Sequence, residues 1–228
     1  MAEMDSRIYT IGTPEPGQRT HIRTSSTEIQ HLAIAWIAIS YAFALVLADP
    51  RGPARPDPFG ELVIYKFILS LLTVGVSFLL HELAHKVVAQ RYNMWAEFRM
   101  SSSMLMFAVG LAYLVGALFA APGAVRIYGN YATREQIGRI GAAGPLMNVL
   151  LALAFMPLIG MSGSFAGVGF GEIGILGVLI NLWLAFFNML PFSVLDGKKV
   201  FAWSKTAFAG IIILIILLGV TFIPTITM

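Results

Sequence analysis

Two histidines four residues apart, with a glutamate between them, are the residues of this chain best suited to chemistry: His81, Glu82 and His85 of the stretch HELAH. On a helix, positions four apart lie on one face about a turn from each other. The two imidazoles can then offer nitrogens to one metal ion, with Glu82 beside it to activate a bound water. The chain has no cysteine, which excludes thiolate sites and disulfide frameworks. Any tightly held transition metal must therefore use His, Asp or Glu. Two histidines and a water leave one coordination place for a third protein ligand. His21 and His31 lie in or beside a polar N-terminal stretch and are poor candidates. Asp196 is better placed, after a long apolar segment in NMLPFSVLDGKK, and a carboxylate is a good zinc ligand. Taken alone, its Asp-Gly pair would read as a turn.

The elements that must position these groups are membrane helices. Of 228 residues, 57% are hydrophobic and only 12% charged, and a soluble core of this size could not hide so much apolar surface. No basic run points to nucleic acid. Residues 1–30 form a polar tail without the apolar core of a cleaved signal peptide, leaving 31–228 as the membrane domain. Apolar segments near 18 residues are candidate spans: about 31–48, 61–92, 136–160, 172–190 and 207–223, with a further run at 104–121. Ser25 to Glu28, just before the first, fits a capping box. In the second, Thr73, Ser77, His81 and His85 recur every four residues as one polar stripe on an apolar helix. Ionisable groups are costly in a bilayer and usually functional there. Gly138, Gly141 and Gly144 open the 136–160 segment at three-residue spacing, which permits close helix approach.

Taken together, HELAH, GPLMN at Gly144 to Asn148 and NMLPFSVLDG at Asn188 to Gly197 resemble the site-2 protease family of intramembrane zinc metalloproteases. That family pairs HExxH with a later NxxPxxxxDG, and Asn188, Pro191, Asp196 and Gly197 match the second motif at the family's spacing. The resemblance covers about residues 64–200. It implies an all-α polytopic membrane protein of about five to six transmembrane helices. A re-entrant, partly irregular or β segment is expected between the HExxH helix and the next span. It implies one Zn2+ per chain held by His81, His85 and Asp196, with Glu82 as acid/base and Asn188 helping to position the site. Pro191 cannot continue a helix without losing a hydrogen bond, and would bend the chain to deliver Asp196. Asn148 packs near the site or serves as a helix–helix hydrogen bond; the sequence leaves both open. Members often carry a second glycine after DG, where this chain has Lys198, and the run 104–121 looks like an insertion.

The chemistry expected is hydrolysis of peptide bonds in or near transmembrane helices of membrane-protein substrates, with the lipid bilayer as a further partner. Regulated intramembrane proteolysis is the process such a family implies. A transporter or channel using intramembrane His, Glu and Asp is the competing class, and a zinc-binding homologue without proteolysis is the other alternative. Charge sets the expected orientation. If 104–121 re-enters rather than spans, the Lys and Arg at 7, 19, 23, 86, 91, 99, 126, 134, 139, 198, 199 and 205 share one side, against Arg51 and Arg55 on the other. Positive charge collects in the cytoplasm, so the active site is expected to face it.

Overall fold

The computed structural model describes residues 22–49, 57, 59–118, 123–128 and 132–227. Expectations for 1–21, including His21, Arg7 and Arg19, for Arg51 and Arg55, and for the end of the run 104–121 lie outside them. Among the described residues, five helical segments are long and apolar enough to cross a membrane. They are α1 (Ser26–Leu47), α2 with α3 (Glu61–Ser70, Val76–Arg91), α5 (Arg134–Phe155) with a 3-10 turn to Gly160, α6 (Phe170–Asn188) and α8 (Lys205–Thr227). The protein is thus a polytopic all-α membrane protein with two small two-stranded sheets.

Helix α1 begins at Ser26, earlier than apolarity alone indicates. Ser25 caps it by accepting from the Glu28 backbone N–H. The reciprocal half of the expected capping box is not made, because the Glu28 carboxylate turns away to Lys86 and to the Phe98 N–H. Residues 23–28 are tied to the body of the protein, since Thr24, Ser25 and Glu28 all bond to later parts of the chain. Polar side chains beside a helix end find buried partners there that apolarity cannot register.

A single π-helical turn, Leu71–Gly75, joins α2 to α3. Trp36 Nε1 on α1 donates to the Leu71 carbonyl at 3.1 Å, and a Cβ at Gly75 would overlap the Trp36 ring. One extra residue in a turn rotates everything after it by about 100°, a residue's step at 3.6 per turn. The face that HELAH presents is therefore set by this turn.

Strands β1 (Trp95–Met100) and β2 (Gly123–Tyr128) pair antiparallel, with Met100 opposite Gly123. The segment between them leaves and returns at one place. Its helix α4 (Ser102–Val115) has 14 residues, about 21 Å, short of the roughly 30 Å of a hydrocarbon core. Ala112 of α4 packs into a cluster with Ala42, Leu45 and Val63. The run 104–121 thus holds a short helix rather than a span, flanked by the expected β structure. A second hairpin, β3 (Ser164–Phe165) with β4 (Val168–Gly169), connects α5 to α6.

Past Asn188, a turn with Ser193 at φ 56° leads into α7, Asp196–Trp203. Asp-Gly is not a turn here: Asp196 is the first helical residue of α7. Gly197 has no Cβ because one would overlap the Met189 carbonyl. The glycine stripe of α5 receives α7, since added Cβ atoms would meet Trp203 at Gly138 and, at 3.0 Å, Lys199 at Gly141. Val149, Ala185, Met189, Val200 and Ile211 pack beneath, tying α5, α6, α7 and α8 into one core.

Candidate metal centre

The π-turn and the i,i+4 spacing bring the His81 and His85 rings of α3 to one face, against α5. Asp196 arrives from the first turn of α7. All three are buried, at 5%, 7% and 6% exposure, and among the described residues they are the group of three able to hold a metal ion. Asp196 Oδ2 lies 3.0 Å from His85 Nε2 and 3.4 Å from His81 Nε2. The two Nε2 atoms are 3.1 Å apart.

Which nitrogens carry protons follows from the bonds behind them. Asn181 Nδ2 donates to the Gly177 carbonyl at 2.8 Å and to Ser77 Oγ at 2.7 Å, which leaves Asn181 Oδ1 as an acceptor. Asn148 Nδ2 donates to it at 2.8 Å, so Asn148 Oδ1 must accept from His81 Nδ1, 2.5 Å away. His85 Nδ1 donates to the Ile140 carbonyl at 2.7 Å. Both neutral rings therefore hold their proton on Nδ1 and turn the Nε2 lone pair inward.

Two lone pairs and a carboxylate oxygen converge, an arrangement that repels itself unless a cation sits among them. Metal–ligand bonds of about 2.0–2.1 Å in a tetrahedral site imply donor–donor edges of about 3.3 Å. The observed edges of 3.0, 3.1 and 3.4 Å fit that requirement. Lys199 Nζ occupies the other oxygen, Asp196 Oδ1, at 2.8 Å.

Glu82 is half-buried, and its Oε2 accepts from the Val125 N–H of β2 at 3.1 Å. Asn188 ends α6, where its Nδ2 donates to the Leu184 carbonyl at 3.0 Å; it is not in the triad's hydrogen-bond network. His31, on α1, is apart from the cluster. Asn148 does bond the His81 ring. Three further residues contribute more to the geometry than the sequence alone indicates. Asn181, a fully buried amide in an apolar helix, was a signal in itself. Ser77 was visible only as one member of a polar stripe. Gly144 reads from the sequence as a packing residue, yet a Cβ there would lie 2.6 Å from His81 Nε2 and closer still to His85 Nε2.

Comparison with known proteins agrees with this geometry. The family model described as "Peptidase family M50" matches residues 69–173, a stretch that contains HELAH and GPLMN. The "Putative zinc metalloprotease MJ0611" of Methanocaldococcus jannaschii is 41% identical over 189 residues, covering 82% of this chain and 90% of that protein. No solved structure matches the chain.

Proposed function

The chain belongs to peptidase family M50, the site-2 protease family, and from that premise we propose that it is a zinc-dependent intramembrane endopeptidase. Its substrates would be transmembrane helices, cut within or near the bilayer in regulated proteolysis. The observation that carries the reading is the convergence of His81 Nε2, His85 Nε2 and Asp196 Oδ2, with Glu82 on the same helix turn as the first ligand. Zinc bound there would lower the pKa of a water toward neutrality and polarise a substrate carbonyl.

The rest falls to the chain's own groups. Glu82 takes a proton from the attacking water and passes it to the leaving amine. Asn148 and Ile140 hold the two rings in the tautomer that a metal needs. Asn188, an amide donor just before the α6–α7 turn, would steady substrate or developing oxyanion charge once it lets go of Leu184. A substrate helix has its peptide groups already bonded and must unwind first; Gly, Pro or Asn near the cut lowers that cost. Purified protein incubated with a single-pass model substrate tests the function, which predicts fragments whose ends map inside the substrate's apolar segment.

Gly144 supplies a test of the metal geometry. Gly144→Ala forces a methyl against both rings, so purified variant should fold but hold well under one zinc per chain. Full occupancy, read by elemental analysis, would show that the rings can retreat and that the cradle is not needed.

We also propose that the site faces the cytoplasm. His81 lies ten residues from the Arg91 end of α3, about 15 Å deep, and basic residues gather at that end. With no native cysteine, single replacements report directly. Ser164→Cys should react with an impermeant thiol reagent applied outside cells, whereas Lys205→Cys should not. The opposite labelling pattern would reverse the orientation.

A further inference from the structure

One turn beyond Glu82 on α3 stands Lys86, whose buried charge the chemistry above does not use. Its Nζ pairs with Glu28 Oε2 of α1 at 2.5 Å, the side chains being 1% and 0% exposed. Burying two charges costs several kcal/mol per ion before their attraction repays it, and a hydrophobic pair would usually serve stability as well. The geometry gives the pair another use. Glu28 Oε1 accepts from the Phe98 N–H of β1 at 3.0 Å. Phe98 is the cross-strand partner of Val125, whose N–H reaches Glu82 Oε2 at 3.1 Å. In a non-hydrogen-bonded antiparallel pair both residues point their N–H groups outward, as these two do.

One rung of the hairpin is therefore held at both edges by carboxylates. Glu82 holds the β2 edge, and Glu28, itself held by Lys86, holds the β1 edge. Since Glu82 and Lys86 are four apart on α3, the same helix face closes the loop. We infer that the Glu28–Lys86 pair is a positioning device for Glu82, acting through the Phe98–Val125 rung. The inference rests on the reading of Glu82 as the acid/base. A neighbouring contact keeps the hairpin attached without the pair: Gln90 Nε2 donates to the Ala96 carbonyl of β1 at 2.9 Å.

Two uncharged double variants of the full chain separate the roles. Glu28→Met with Lys86→Met removes the acceptor for Phe98. Glu28→Gln with Lys86→Met keeps an amide oxygen there. With a single-pass substrate, the first should lower kcat by about 10–100-fold, as for a misplaced catalytic group, with KM moving far less and zinc still at one per chain. The 15N amide signal of Val125 should shift with it. The second should recover most of kcat. Val125→Pro, on an edge strand that tolerates proline, removes the same contact from the catalytic side and should match the loss. A wild-type kcat in the first double variant or in Val125→Pro overturns the inference, as does equal loss in both double variants. Absence of cleavage by the wild type, or normal turnover by Glu82→Gln, overturns the protease reading instead.

Discussion

Glu82→Gln is expected to abolish detectable cleavage while leaving about one zinc per chain. The amide is nearly isosteric and can still accept from the Val125 N–H, so the hairpin stays in place. What it cannot do is take a proton from water, and positioned acid/base groups contribute roughly 10²–10⁴-fold. Turnover and zinc content measured on one preparation check both halves. Near-normal turnover would remove Glu82 from the mechanism, whereas loss of zinc would make it a ligand.

Asp196→Ala should lose both activity and metal. Removing the carboxylate takes away one of three donors and the negative charge that balances the ion. It also frees Lys199, which now bonds Asp196 Oδ1, and an unpaired ammonium so close would repel a cation. Lys199→Met separates these effects: with Asp196 intact, zinc should be retained. If Asp196→Ala keeps full zinc affinity, the third ligand lies elsewhere on the chain.

How much of this was legible beforehand depends on where the information sits. The HExxH pattern of His81, Glu82 and His85 is legible because it lies in residue type and short spacing, Asp196 only through the family's second motif, and the spans because apolar length is a local property. The π-turn was not readable, since Leu71–Gly75 is as apolar as its flanks and its stabilising contact comes from Trp36 on another helix. The Glu28–Lys86 bond joins residues 58 apart, and no local pattern announces such a pairing. Gly144 shows the intermediate case. Its stripe was visible as a close-packing signal, but only the fold shows that what approaches is the pair of metal-facing rings. Asp196 reversed a local rule: Asp-Gly favours turns, yet packing of α7 on the Met189 carbonyl makes Gly197 the first-turn residue of a helix.

The central claim is that cleavage depends on a metal held by His81, His85 and Asp196. The most direct measurement is cleavage of a transmembrane substrate by purified protein before chelation, after chelation, and after zinc is returned. The account predicts one zinc per chain, loss of cleavage when it is stripped, and recovery on adding back about one equivalent. Cleavage that persists in protein shown to be free of metal would contradict it.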